Sequence, residues 1–260
     1  MPHVEWERLR GTYEVLAIGG LARSVRPDQP HYQHNVAFAR QRFDEGIELV
    51  SYFESKYGSR PLHILDLGAG SGGVSIALAN EPRNQITAAD VVYNADLAEL
   101  RAHSGVPLDQ VMATGDRLPF GDAVFDAVLC LETIEHLPDA RAAAAEMMRV
   151  LKPGGQVMIT TPARMRFLWR PDPHYQVRGL AALPDGLQRH VVVDRLRLTR
   201  DYDVQPLFWT AGGMVRMFPG RGRVDTLVAI PWPGRPRNLK EILWKVFRRL
   251  LWDRIVIWKR

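Results

Sequence analysis

The sequence predicts an α/β fold built on a doubly wound, mostly parallel sheet of seven strands. Between Pro61 and Pro162, short apolar segments alternate with helical ones, which is typical of successive βαβ units. Such units place helices on both faces of a parallel sheet. Five strands are predicted in this interval, and two more are predicted over 204–210 and 224–230.

The chain divides into three predicted regions. Residues 1–60 are expected to form two N-terminal helices, and residues 61–235 the main α/β domain. Within that domain the alternation breaks down over 163–200, where Arg, Pro, His and Trp predict an insertion or lid. Residues 236–260 predict a basic amphipathic C-terminal helix after a proline-rich linker.

Composition excludes several classes of protein. The 260 residues are 46% hydrophobic and 24% charged, as in ordinary globular proteins. The single Cys130 excludes an internal disulfide, and its apolar surroundings favour an inert buried thiol. No apolar run reaches the roughly 18 residues of a membrane span. The first residues also lack a secretory signal, so a cytoplasmic enzyme is expected.

All of the excess positive charge lies at the C-terminus. Residues 238–260 carry seven Lys/Arg and two acids, which accounts for the whole net charge of +5. One helical face there is apolar and the other basic, so peripheral contact with an anionic membrane at the cytoplasmic face is one interpretation. The alternatives are packing on the protein's own core or on a second subunit in a homodimer. Nucleic-acid binding is disfavoured because the remainder of the chain is neutral.

A glycine motif follows the first predicted strand. Gly68, Gly70 and Gly73 fit the G-x-G-x-x-G pattern, which turns tightly from a strand into a helix at a nucleotide-containing cofactor. Asp90 lies 22 residues after Gly68, at the end of the second predicted strand, where an acid binds ribose hydroxyls. These residues alone are compatible with a nicotinamide cofactor or with another adenosine-containing one.

Two later segments decide between these cofactors. "TGDRLPFGDAVFDAVLCLETIEHLPD" (114–139) and "MMRVLKPGGQVMITTP" (147–162) resemble the middle of class I S-adenosylmethionine (SAM) dependent methyltransferases. The resemblance is to the group that includes ubiquinone- and menaquinone-biosynthesis enzymes, and it covers roughly residues 60–162. It implies a Rossmann-like methyltransferase domain, SAM as cofactor, and N-terminal helices that cover the cofactor site.

The resemblance also implies contacts with SAM, residue by residue. These are Asp66, Gly68, Ala69 and Gly70 at the methionine part, Asp90 with Val91 beside it at the ribose, Asp116 and Arg117 at the adenine, and Leu131 and Glu132 at the methyl-transfer mouth.

Transfer to a hydroxyl also needs a group that accepts its proton. Glu135 and His136 in "LETIEHL", and His174 in "DPHY", are the candidate catalytic residues. One alternative for Glu135 and His136 is a structural or SAM-positioning role. Another is that they hold a divalent metal ion together with Glu132, because similar spacing in ubiquinone-pathway enzymes is associated with a metal. No residue is assigned as a metal ligand, since the sequence does not reveal a convincing further ligand.

The expected function is methyl transfer from SAM to a hydroxyl oxygen of a non-protein acceptor. A glycan, a lipid-linked sugar or a quinone-like lipid is expected, because the lid and tail resemble methyltransferases of glycans and lipid-linked sugars. One alternative is C-methylation of a quinone or other small molecule. A non-catalytic SAM-binding protein that docks a membrane or partner, and a nicotinamide oxidoreductase, are alternatives of other classes.

Overall fold

The computed structural model describes residues 4–24, 30–168, 171–172, 174–199, 210–227 and 254–260. It divides into two compact units. The first comprises Met1–Thr114 with Leu118–Leu129, and the second Gly115–Arg117 with Cys130–Arg260.

Helices and strands alternate through the central part of the chain. The helices are α1 Trp6–Ser24, α2 Pro30–Tyr57, α3 Gly73–Ala79, α4 Ala95–Ser104, α5 Ala140–Val150, α6 Asp185–Arg189 and α7 Ala211–Val215. The strands are β1 His63–Leu67, β2 Gln85–Asp90, β3 Leu108–Met112, β4 Phe125–Leu131, β5 Leu151–Thr160, β6 Arg221–Leu227 and β7 Arg254–Lys259. None of the helices within the described ranges combines the length and apolarity needed to cross a bilayer.

The described strands form one seven-stranded sheet in the order β3-β2-β1-β4-β5-β7-β6. Strand β1 pairs in parallel with β2 and with β4, and β2 pairs in parallel with β3. Strand β7 pairs antiparallel with β5 and with β6. The predicted α/β fold with a mostly parallel seven-stranded sheet is therefore confirmed.

In the first unit, the core lies between the sheet and its helices. Every residue of α3 is buried, which explains why this short helix has no polar face. Helix α2 packs on α3 and contributes the buried rings of Phe43 and Phe53. Helix α1 contacts α2 and α4, and its Tyr13 stacks on Phe43 with ring centroids 5.2 Å apart. The N-terminal helices are thus part of this core.

The second unit contains the antiparallel end of the sheet. Val157 and Ile159 of β5 lie opposite Ile257 and Ile255 of β7, and all four side chains are buried. Strand β7 corrects the sequence-based prediction, because 254–259 had been assigned to the C-terminal helix of 236–260. Trp258 lies in this strand, where its indole N–H donates to Asp225 on β6 at 3.2 Å.

Other predicted boundaries also differ. Helix α2 begins at Pro30 and so includes the prolyl-histidine segment before Val36. Strand β5 begins at Leu151 and includes the Pro-Gly-Gly sequence of 153–155. The strand predicted over 224–230 corresponds to β6, which begins at Arg221. Most of the strand predicted over 204–210, and residues 228–253 of the linker and tail, lie outside the described residues.

Two helical glycines provide a matched test of helix packing. A Cβ at Gly46 in α2 would lie 2.6 Å from Ala77 Cβ on the buried α3, whereas a Cβ at Gly11 in α1 would meet nothing within 4 Å. Gly46→Ala should lower the free energy of unfolding by about 1–2 kcal/mol, because overpacking outweighs the better helix propensity. Gly11→Ala should raise it by about 0.5–1 kcal/mol. Thermal unfolding of both variants beside wild type measures the difference, and equal shifts would contradict the packing described for α2.

Candidate active site

A glycine-rich loop, residues 68–72, joins β1 to α3 in the first unit. Gly68 and Gly70 have φ of 77° and 53°, a left-handed backbone in which a side chain is strained. The backbone N–H groups of Gly68 and Ala69 donate to the carbonyl oxygen of Ala89 on β2, at 2.8 and 3.2 Å. The loop therefore turns sharply at the end of β1 and is attached to the neighbouring strand.

Two side chains, one at the end of β2 and one just after it, hold the middle of this loop. Asp90 Oδ2 accepts a hydrogen bond from the Gly70 N–H at 2.9 Å, and its Oδ1 accepts one from the Val92 N–H at 3.3 Å. The Asn94 amide donates to the Gly70 carbonyl oxygen at 2.7 Å. Asn94 also begins α4, because its Oδ1 accepts from the Leu97 N–H at 3.0 Å. The structure thus brings together Gly70 and Asp90, two of the predicted SAM contacts.

A recess opens beside Asp90. Its walls include Ala69, Gly70, Asp90, Tyr93, Asn94 and Met112. Several apolar side chains nearby are exposed, namely Val91 (59%), Val92 (68%), Tyr93 (54%) and Met112 (63%). Apolar side chains thus lie close to a carboxylate and to backbone polar groups at this recess, whose volume is about 10 Å³. Val91, predicted as a cofactor contact, belongs to this exposed group.

Asp66 is placed differently from the other predicted cofactor contacts of this unit. Its carboxyl group is buried, and the Ser75 hydroxyl of α3 donates to it at 2.5 Å. Burial raises the pKa of Asp66, because the charged form loses hydration. The hydrogen bond between Ser75 and Asp66 therefore links α3 to β1 and has a structural role. A contact of Asp66 with SAM stays a prediction.

The pattern of the sequence did not reveal Tyr13 as a neighbour of this loop. The Tyr13 hydroxyl donates to the Ala39 carbonyl oxygen at 3.0 Å and lies 2.9 Å from the Ser71 hydroxyl. Burial raises the pKa of Tyr13 to about 12, so the phenol stays protonated near neutrality. Helix α1 thereby reaches the glycine-rich loop, and no spacing rule connects residues 13 and 71.

In the second unit, Leu131 and Glu132 lie at the carboxyl end of β4. Leu131 is buried. Glu132 has φ of 51°, a left-handed conformation that costs a non-glycine residue energy and is enriched at functional sites. Its backbone N–H donates to the Thr160 carbonyl oxygen at 2.9 Å and lies 3.1 Å from the Thr160 hydroxyl. These contacts to the end of β5 hold the strained residue in place.

Asp116 and Arg117 lie in a turn with both side chains exposed. The preceding Gly115 is closely packed, since a Cβ there would lie 3.1 Å from a Leu137 methyl group. The turn is therefore fixed by packing while its charged side chains face solvent. A hydrogen bond from Asp116 to the adenine of SAM stays a prediction.

The three predicted catalytic residues lie together. One potential ligand atom from each of Glu135, His136 and His174 lies within 4.8 Å of the other two. The His136 and His174 rings are 5.1 Å apart between centroids and inclined by 82°. Glu135 is buried, His174 half-buried and His136 exposed. The sequence had suggested two separate sources of a catalytic group, one around Glu135 and His136 and one at His174. The structure brings all three residues into one cluster, and Glu132 is not among the residues of that cluster.

The backbone around His174 is held by a buried carboxylate that sequence reasoning missed. Asp172 accepts hydrogen bonds from the backbone N–H groups of His174, Tyr175 and Val177 at 3.0, 2.7 and 2.7 Å. The signal available in the sequence was the "DPH" triplet, because Asp often accepts from N–H groups two or three residues later. The imidazole of His174 is therefore carried on a fixed loop.

Comparison with known proteins identifies the domain. A family model described as a methyltransferase domain matches residues 65–159. A ubiquinone biosynthesis O-methyltransferase of Pseudomonas aeruginosa is 35% identical over 116 residues, which are 43% of this chain and 49% of that protein. The O-methyltransferase rstn1 of Aspergillus nomiae is 31% identical over 51% of this chain and 58% of its own length. The chain thus spans about half the length of the curated relatives it matches.

Solved structures show the same fold at lower identity. The PH0226 protein of Pyrococcus horikoshii is 17% identical, and the alignment covers 84% of this chain and 90% of the PH0226 chain with a TM-score of 0.56. A candidate sarcosine dimethylglycine methyltransferase of Galdieria sulphuraria is 19% identical over 86% and 88% of the two chains, with a TM-score of 0.55. Residues 65–159 are thus similar to a methyltransferase domain, and the fold agrees with that of the class I, SAM-dependent methyltransferases which the sequence resembles. SAM is the cofactor of that family.

Asp90 provides the sharpest test of the cofactor contacts. Asp90→Asn retains an oxygen that can accept the Gly70 N–H but removes the charge expected at the ribose hydroxyls. The dissociation constant for S-adenosylhomocysteine should rise about 10- to 100-fold, as for the loss of a hydrogen bond to a charged group. Calorimetric titration measures it. Asp109→Asn, an exposed carboxylate on β3 that pairs with Arg101 at 3.8 Å, is the matched control. Equal affinities for the two variants would exclude the assignment of Asp90.

Proposed function

We propose that this protein transfers the methyl group of SAM to a hydroxyl oxygen of a non-protein acceptor. The observation that carries the proposal is the meeting of Glu135, His136 and His174 in a protein with a SAM-dependent methyltransferase domain. Two imidazoles beside a buried carboxylate are suited to accept a proton from a hydroxyl group. Both curated relatives described above are named O-methyltransferases, which supports oxygen as the acceptor atom.

The proposed cofactor contacts follow the polarity of SAM. The polar backbone of the loop over 68–72, above the buried Asp66, would hold the methionine part. Asp90 would accept hydrogen bonds from the ribose hydroxyls, beside the exposed Val91. The proposed contacts in the second unit are Asp116 and Arg117 at the adenine, and Leu131 and Glu132 near the methyl group.

For this reaction the protein must mainly align the acceptor oxygen with the methyl group and the sulfur of SAM, and remove one proton from the acceptor. The acceptor oxygen attacks the methyl carbon in line with the carbon–sulfur bond, and that bond breaks to leave S-adenosylhomocysteine as a neutral sulfide. The hydroxyl proton passes to His136 or His174. In this role Glu135 would stabilise the positive charge that the imidazole gains. His136 is the exposed member of the cluster and is therefore the side chain that an acceptor could reach from solvent.

The acceptor is proposed to be a quinone-like lipid, a lipid-linked sugar or a glycan. The name of the Pseudomonas relative points to a ubiquinone precursor for that protein. The net charge of +5 within 238–260 would favour an acceptor at an anionic membrane surface on the cytoplasmic side. Residues 254–259 of this segment lie in β7, where the Lys259 ammonium donates to the Leu151 carbonyl oxygen at 2.7 Å. Only the preceding part, 238–253, is left for contact with a membrane, and its four Lys/Arg and two acids give it a net charge of +2.

The acceptor class and acceptor atom can be tested in one assay. The protein is incubated with SAM carrying a ¹³C-labelled methyl group and with three acceptors: a catechol bearing an isoprenoid tail, a lipid-linked hexose and a free hexoside. NMR distinguishes a methyl group on oxygen from one on carbon. An O-methyl product supports the proposal and identifies the acceptor class. A C-methyl product, or S-adenosylhomocysteine binding without turnover of any acceptor, would overturn it.

The roles of the two histidines follow with whichever acceptor is methylated. Of His136→Ala and His174→Ala, the variant that lacks the proton acceptor should lower kcat by about 100-fold or more, while the affinity of both for S-adenosylhomocysteine stays unchanged. His190→Ala is the control, since His190 is exposed and pairs with Asp194 at 2.9 Å. Wild-type rates in both cluster variants would contradict a catalytic role for this cluster.

A further inference from the structure

The side-chain amide of Gln110 on β3 is joined to the backbone of Asn94 by two hydrogen bonds. The Asn94 N–H donates to Gln110 Oε1 at 3.2 Å, and Gln110 Nε2 donates to the Asn94 carbonyl oxygen at 3.0 Å. Asn94 lies in the connection between β2 and α4. The glutamine side chain thus pairs with both backbone polar groups of Asn94, as the backbone of a neighbouring strand would.

The side chain of Asn94 is held as firmly as its backbone. Its Oδ1 accepts from the Leu97 N–H at 3.0 Å, and its carbonyl oxygen also accepts from the Ala98 N–H at 3.2 Å, at the start of α4. The Nδ2 group then donates to the Gly70 carbonyl oxygen at 2.7 Å. The hydrogen bonds from Gln110 and from α4 therefore direct this amide group at the glycine-rich loop.

The strand register places Gln110 beside the cofactor side of the first unit. In the parallel ladder of β2 and β3, Gln110 is the partner of Ala88, and Met112 is the partner of Asp90. Because residues two apart in a strand project from the same face, Gln110 lies on the face of the sheet that carries the Asp90 side chain. Gln110 also lines the recess beside Asp90.

We propose that Gln110 is a positioning residue for the cofactor, which acts through Asn94 on the Gly70 carbonyl group and so raises the affinity for SAM. Groups that contact a ligand bind it best when a second set of residues holds them in the bound geometry. Gln110 is 40 residues from Gly70 in sequence and is not part of the glycine motif. The inference rests on the proposed function, in which the loop over 68–72 holds the methionine part of SAM.

Two variants remove the two steps of this path separately. Gln110→Met keeps a side chain of similar length and removes both hydrogen bonds to Asn94. Asn94→Ser keeps a hydroxyl that can accept from the Leu97 N–H as a helix cap, but it is too short to reach the Gly70 carbonyl oxygen. The dissociation constant for S-adenosylhomocysteine should rise about fivefold in Gln110→Met and about 10-fold in Asn94→Ser, as for the loss of one or two hydrogen bonds. Calorimetric titration measures both.

Gln85→Met is the matched control. Gln85 is exposed at the start of β2, at the opposite end of that strand from Asp90, and the substitution is the same. This variant should bind S-adenosylhomocysteine like wild type. Thermal unfolding of each variant shows that it is folded. Unchanged affinity in Gln110→Met, or the same loss in Gln85→Met, would overturn the proposal.

The double variant decides whether Gln110 acts through Asn94. In Asn94→Ser the hydrogen bond to Gly70 is already lost, so adding Gln110→Met should change the dissociation constant by less than about twofold. Two independent effects would instead multiply to about 50-fold relative to wild type. Such a product would show that Gln110 acts by another route and would overturn the proposal.

A second ligand distinguishes positioning of the loop from a general loss of structure. 5′-Methylthioadenosine has the adenosine part of SAM but lacks its amino and carboxyl groups. Because Gly70 is proposed to lie at the methionine part, Gln110→Met should weaken S-adenosylhomocysteine at least about threefold more than 5′-methylthioadenosine. Equal losses for the two ligands would show a structural role alone and would overturn the proposal.

The wild-type titration keeps this inference apart from the proposed function. If wild type binds S-adenosylhomocysteine and Gln110→Met binds it equally well, the positioning role alone is overturned. If folded wild-type protein does not bind S-adenosylhomocysteine, the proposed function is overturned and the positioning role falls with it.

Discussion

The cofactor side of the site depends on how one residue of the loop, Gly70, is held. Its N–H donates to Asp90 and its carbonyl oxygen accepts from Asn94, so both side chains that fix it lie at the end of β2 or just after it. A carboxylate has about four lone-pair positions, and the hydrogen bonds from Gly70 and Val92 occupy two of them. The remaining capacity of Asp90 is available for two hydroxyl groups. The residue that fixes the loop and the residue expected at the ribose are therefore the same one.

Helix α1 adds a further attachment that no motif describes. The Tyr13 hydroxyl donates to the Ala39 carbonyl oxygen on α2 and can accept from the Ser71 hydroxyl in the loop. A Cβ at Gly73 would lie 2.7 Å from that hydroxyl oxygen, so only glycine permits the helix to approach so closely. The N-terminal helices thus shape the loop through contacts between residues about 60 positions apart.

Local patterns predicted the features that local sequence determines. The glycine loop, the acid at the end of β2 and the alternation of strands with helices each follow from spacing within a few turns of chain. Strand β7 was missed because an amphipathic pattern before it appeared to continue through 254–259, and its real partners are strands β5 and β6. His136 and His174 were both selected from the sequence, but their meeting depends on the path of the chain after β5. Neither periodicity nor spacing encodes such long-range pairing.

The segment after β5, residues 161–185, is stabilised by buried charged groups rather than by long helices or strands. Arg164 is 3% exposed, and its guanidinium donates to the carbonyl oxygens of Ala181 and Leu183 at 2.8 and 2.6 Å and to Asp185 at 2.5 Å. Asp172 holds the loop of His174 in the same way, with a carboxylate in place of a guanidinium. A conformation without these hydrogen bonds would leave the charge of Arg164 or Asp172 buried and unpaired, which costs much free energy. The contacts therefore favour a single conformation of the segment. This segment also lies beyond residues 65–159, the part of the chain that the methyltransferase domain model matches. Since the matched residues carry all the proposed contacts with SAM, we expect the residues that distinguish one acceptor from another in this later segment.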